Sequence, residues 1–133
     1  MKLDQEVLYI AAELGRKAAV AKKAELEGGP DKYEVRNATI DGQVYGPSQG
    51  RMKDLCGFAY CYIRPQPGLS RRVKAIKEMI ARGELGHDSY RGALVLRIPS
   101  IYQEISVNEA GAEAAAYYLN KQGISAYVES RLD

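Results

Sequence analysis

The sequence predicts an α+β domain, built as a ferredoxin-like βαββαβ plait over about residues 55–133, with a long helix and an edge strand placed ahead of it. Three observations carry this expectation. From residue 55 onward, segments of strand and helix character follow in the order strand, helix, strand, strand, helix, strand, which is the split βαβ arrangement. Each strand segment alternates an apolar side with a polar or aromatic one, as a sheet with one buried face requires. The 133 residues, 46% hydrophobic and 27% charged, suffice for one core. A single domain, 1–133, is therefore expected, with a helical segment at 1–30 that can oligomerise and an α+β body at 31–133.

Residues 3–27 form the first helix, because Leu3, Val7, Ile10, Leu14, Ala18 and Ala21 recur at helical spacing and Gly28-Gly29-Pro30 ends the run. At about 1.5 Å per residue it spans roughly 37 Å, more than a small domain needs. Its stripe either lies across the chain's own sheet or packs in part on a partner chain. Residues 32–40 carry β-formers without clean alternation, as an edge strand does. Residues 41–53 read as a mobile turn: Gly42, Gly46 and Gly50 with Arg51 and Lys53 match neither the dinucleotide fingerprint nor the P-loop.

Residues 56–64 form the central strand. Gly57, Ala59, Cys61 and Ile63 share the face that suits helix packing, and Phe58, Tyr60, Tyr62 and Arg64 share the other. Pro65 and Pro67-Gly68 break the chain, Ser70 caps a helix over 71–82, and Gly83 stops it, with Val73, Ile76 and Ile80 turned inward. Six cations against Glu78 between residues 64 and 82 make this stretch basic, a solvated face or a surface for an acidic partner. Residues 84–90 read as a loop. Residues 91–99 form the second strand of the plait, with Leu94, Leu96 and Ile98 opposite Arg91, Ala93, Val95 and Arg97. Residues 101–107 form the third, Asn108 caps a helix that stops at Gly123, and residues 124–133 form the fourth, with Ser125, Tyr127, Glu129, Arg131 and Asp133 on its polar side.

The composition narrows the function classes. A net charge of +2 is too small to argue for nucleic acid by itself. No apolar run approaches a membrane span, and the N-terminus does not read as a signal peptide, so a cytoplasmic protein without membrane association is expected. Cys56 and Cys61 point to opposite faces of a regular strand and cannot bridge each other or share a metal; both are expected to be reduced. His87 is the sole histidine, too few for a histidine metal cluster. His87, Asp88 and Ser89 are adjacent in sequence, but triad members normally come from separate elements, so no catalytic residue, metal or cofactor is assigned.

The four alternations together gather rings, guanidinium groups and carboxylates onto one side of the sheet. Tyrosine and arginine are what interface hot spots are made of, what stacks on bases and what holds phosphate through paired donors. The ligand-binding residues expected on this face are Phe58, Tyr60, Tyr62, Arg97, Tyr127, Glu129, Arg131 and Asp133. Tyr60, Tyr62 or Tyr127 would stack on a base, Arg97 and Arg131 would hold phosphate, and Glu129 or Asp133 would accept from a ribose or base amine. A self-association face is the plainer alternative, since an uncovered aromatic sheet must be covered somehow.

Two resemblances bear on this face. Gly57-Phe58-Ala59-Tyr60-Cys61-Tyr62 resembles the aromatic signature of RNA-recognition motifs, although the companion aromatic motif of that family is missing. It implies RNA or single-stranded DNA as a possible ligand, with Arg71, Arg72, Lys74 and Lys77 contributing. The run from Gly57-Phe58-Ala59 through Tyr90-Arg91-Gly92 to Ser130-Arg131-Leu132-Asp133 resembles a group of small bacteriophage accessory proteins. That resemblance implies a non-enzymatic anti-defence protein in the host cytoplasm, and a possible relation to the first type of anti-Thoeris proteins, which sequester a nucleotide signal. The expected partners are thus a nucleotide-type small molecule and a second copy of the chain, in a homo-oligomer. The alternative is a protein-binding inhibitor of a host defence enzyme or CRISPR complex.

Overall fold

The computed structural model describes residues 5–99 and 102–133, with the backbone alone at 49–51, and the chain is α+β: three helices and two antiparallel sheets among the described residues. Helix α1 (Gln5–Glu27) leads into a two-stranded hairpin, β1 (Tyr33–Ala38) and β2 (Val44–Met52). Then follow β3 (Gly57–Ile63), α2 (Lys74–Ala81), β4 (Leu85–Asp88), β5 (Ala93–Leu96), α3 (Ile105–Lys121) and β6 (Ala126–Leu132). The four later strands form one antiparallel sheet in the spatial order β4-β5-β3-β6. β3 is one of its two interior strands, with β5, and is paired to β6 along its whole length and to β5 over residues 61–63.

Strand alternation decides where the core sits. Cys61 and Ile63 of β3, Leu94 and Leu96 of β5 and Ala126 of β6 are buried together with Leu8 and Ala11 of α1, Ile76 and Met79 of α2, and Ala112, Ala115 and Leu119 of α3. All three helices therefore lie on one side of the sheet. Each of the larger side chains contributes about 1.5–3 kcal/mol by leaving water. Phe58, Tyr60 and Tyr62 point the other way, and no element among the described residues packs over them.

Helix α1 uses little of the stripe that the sequence marks out: Val7 packs against the core, and Leu3 lies outside the described residues. Its buried residues are Leu8, Ala11, Gly15, Ala19 and Leu26, while Ile10 and Leu14 each remain 38% exposed. Close approach to α3 is the reason. A methyl on Gly15 would come within 2.8 Å of the Gly111 carbonyl oxygen, and Ala19 sits beside Gly111, so small side chains let two backbones meet where larger aliphatics would hold them apart.

Other boundaries differ from expectation for local reasons. The expected mobile turn over 41–53 is mostly strand β2, closed on β1 by a turn in which the Thr39 hydroxyl accepts from the Gln43 amide at 3.0 Å. Part of the expected loop 84–90 is strand β4, an edge strand of four residues. The expected third strand over 101–107 is not formed: Tyr102 and Gln103 lie in no strand, Glu104 makes one isolated bridge to Cys56, and α3 already begins at Ile105; Ile101 falls outside the described residues. Asp54 sets that start. Its Oδ2 accepts from the Ser106 amide at 2.7 Å and its Oδ1 from the Leu55 amide at 2.9 Å, so a carboxylate from elsewhere in the chain satisfies the helix N-terminus. Asn108, expected as the cap, instead donates to the Gly57 carbonyl at 2.8 Å.

Helix α2 begins at Lys74 rather than residue 71, because Ser70 closes the preceding turn by accepting from the Arg72 amide at 3.2 Å. Met79, not Val73, is turned inward. No helix among the described residues is long and apolar enough to cross a membrane.

Candidate ligand-binding face

The register of the sheet determines which side chains meet on the bare face. Opposed residues of an antiparallel pair project to the same side, and β3 sets Phe58 against Arg131, Tyr60 against Glu129 and Tyr62 against Tyr127 of β6. On its other flank Tyr62 faces Val95 of β5, which in turn faces Gly86 of β4. The β3 rings form a ladder: Phe58 and Tyr60 centroids are 6.5 Å apart, Tyr60 and Tyr62 6.0 Å.

At one end the rings are sealed into a column of alternating chemistry. The Arg64 guanidinium lies 4.4 Å from the Tyr127 ring centroid, Tyr127 stacks on Tyr62 at 5.2 Å, and the Arg91 guanidinium covers Tyr62 from 4.9 Å. Tyr62 is only 5% exposed, and burial is the chief reason its phenol is pushed above the ordinary value. Arg91 is committed on every side. Its Nη1 donates to Asp88 Oδ2 at 2.8 Å and its Nε to Glu129 Oε2 at 2.6 Å, and these carboxylates, Asp88 first, hold the guanidinium above its usual value. Asp88 also accepts the Arg91 amide at 3.0 Å, which with the guanidinium holds its carboxyl below the usual range and fixes the β4–β5 turn.

Beside this column opens a hollow of about 810 Å³, with Tyr60, His87, Arg97, Glu129 and Arg131 among its lining residues. Tyr60 is half-buried. Arg97 lies across Gly86, where an added methyl would sit 3.3 Å from the Arg97 Nη2; the glycine leaves room for the guanidinium to lie over β4. Neither Arg97 nor Arg131 has an ion-pair partner among the described residues. Glu129 gives one oxygen to Arg91 and keeps Oε1 uncommitted. The arrangement can hold an anion between two guanidinium groups, stack a planar ring on Tyr60 and accept one hydrogen bond at Glu129.

Five of the eight residues singled out in the sequence border this hollow: Tyr60, Tyr62, Arg97, Glu129 and Arg131. Tyr62 borders it as support, since Arg91 and Tyr127 already cover its ring. Tyr127 stands behind Tyr62 in the column and outside the hollow. Phe58, 44% exposed, opens instead onto an adjoining cleft of about 280 Å³ with Ala59 and Ile98, which shares Tyr60 and Arg97 with the hollow. Asp133 lies away from it, its amide donating to the Cys56 carbonyl at 3.1 Å. His87, Asp88 and Arg91 also line the rim and were not among the eight. Their signal was in the sequence: an aspartate three residues before Arg91-Gly92 is a hairpin-turn pattern, and it would have turned the supposed loop into an edge strand.

No family model, curated protein or solved structure matches the chain.

Proposed function

We infer that the chain is a non-enzymatic binding protein that captures a nucleotide-type small molecule on the bare face of its sheet. One observation carries the reading: two arginines without carboxylate partners among the described residues flank a half-buried tyrosine over a hollow of about 810 Å³, within the size range of small-molecule sites. Arg97 and Arg131 hold phosphate, Tyr60 stacks on a base, and Glu129 Oε1 accepts from a ribose hydroxyl or base amine. Arg91 keeps Glu129 and the Tyr62–Tyr127 stack in place. The matching biological role is that of a phage accessory protein which sequesters a host defence signal in the host cytoplasm. The finer fold reading belongs to the same proposal: a ferredoxin-like plait with α1 and the hairpin added, supported by the element order β3-α2-β4-β5-α3-β6.

Thermal unfolding of the purified chain with cyclic dinucleotides, cyclic trinucleotides and cyclic ADP-ribose isomers tests the reading. A true ligand at a hundredfold excess over its Kd raises Tm by about 10 °C, and the ultraviolet spectrum of the protein as purified shows any nucleotide already bound. No shift with any of the three classes overturns the proposal. A shift only with single-stranded RNA, steeply weakened by salt, replaces it with the nucleic-acid reading.

A further inference from the structure

The outward face of α1 has a pattern that the fold leaves unused. Ile10, Leu14 and Ala21 are exposed, with Val7 at the edge of the same stripe, where it also touches the core. Positions 7, 10, 14, 17 and 21 are the alternating three and four residue steps of a coiled-coil seam, separate from the Ala11-Gly15-Ala19 seam that already meets α3. Glu6, Ile10, Glu13, Leu14 and Lys17 surround a shallow hollow of about 520 Å³ on this helix, the kind of recess a side chain from a facing helix fills.

We propose that a second copy of this chain occupies that face, the two α1 helices running antiparallel about a two-fold axis, with Ile10 of each against Leu14 of the other. The charges choose the direction. A parallel pair would set Lys17 in the seam opposite its own copy, a like-charge contact. The antiparallel pair with Ile10 on Leu14 brings Lys17 beside Glu6 of the second copy, twice by symmetry. Neither Glu6 nor Lys17 has an ion-pair partner among the described residues, whereas Glu13 is already held by Arg16 at 2.6 Å. The seam lies on the helical side of the sheet, so dimerisation leaves the tyrosine face open and does not depend on the ligand reading.

A few residues per helix make less than the standard interface of about 1,200–2,000 Å², so association in the micromolar range is expected. Sedimentation equilibrium of the full chain over a concentration series measures it. The wild type should reach twice the 14.7 kDa chain mass, and Leu14→Glu should remain at the chain mass with unchanged circular dichroism. Glu6→Lys and Lys17→Glu should each raise the dissociation constant about five- to tenfold, and the double variant should return it to within about twofold of wild type. A wild type that stays at the chain mass, a Leu14→Glu protein that still dimerises, or a double variant no better than the weaker single one overturns the proposal.

Discussion

Arginines that look alike in sequence divide by what they already touch. Arg91 spends its donors on Asp88 and Glu129 and its planar face on Tyr62, so it acts within the protein. Arg97 and Arg131 keep their donors for something else. Replacing either of these by Ala should weaken ligand binding about tenfold or more, as loss of a charge-assisted hydrogen bond does, and leave Tm within about a degree or two. Arg91→Ala should do the reverse in unfolding experiments, lowering Tm by several degrees because it uncovers Tyr62 and leaves two carboxylates facing each other. Calorimetry paired with binding titration separates the two outcomes; equal Tm losses in all three variants would contradict the division. Cys61, whose thiol burial pushes up to about 12, is a packing residue on the opposite side of β3 and takes no part in this chemistry.

At the scale of elements, the start of α3 shows how a distant residue sets a local boundary. Burial alone would push the Asp54 carboxyl up, but the Ser106 hydroxyl and amide and the Leu55 amide outweigh it and hold the carboxyl below its usual range. A depressed folded-state pKa gives stability that is complete above the unfolded value, about 3.9 for aspartate, and is lost as pH falls through the folded value. Asp54→Asn removes one of the two acceptors and the charge, and should therefore cost about 1 kcal/mol at neutral pH and flatten the acid limb of a Tm-against-pH curve. An unchanged acid limb would contradict this role. The same contact explains why Asn108 is no cap: its capping signal was legible, yet the carboxylate that takes the role lies 52 residues before Ser106 and no local pattern encodes it. In α1 the periodicity was legible and its direction was not. Ile10 and Leu14 dominate a hydrophobic stripe by size, but the fold needed the small residues Ala11, Gly15 and Ala19.

The whole molecule is a one-sided sheet, helices beneath and tyrosines above. That sidedness was legible because β3, β5 and β6 alternate, and alternation is the one signal that survives errors of a residue or two at strand ends. The rim was less legible, because β4 is only four residues long and its Gly86 matters through the room it leaves for Arg97. The hairpin of β1 and β2 stands apart: among the described residues its strands contact chiefly each other, and it exposes Tyr33, Val35 and Tyr45.

The central claim concerns a ring that is reachable and a neighbour that is not, and nuclear magnetic resonance of the tyrosine rings during titration with a ligand found by thermal unfolding reads both at once. The account predicts that the ring protons of Tyr60 move upfield as a base stacks on them, together with the side-chain signals of Arg97 and Arg131, while the covered ring of Tyr62 moves little. Signals that move instead on α1 or the hairpin, with Tyr60 unchanged at saturation, would contradict it.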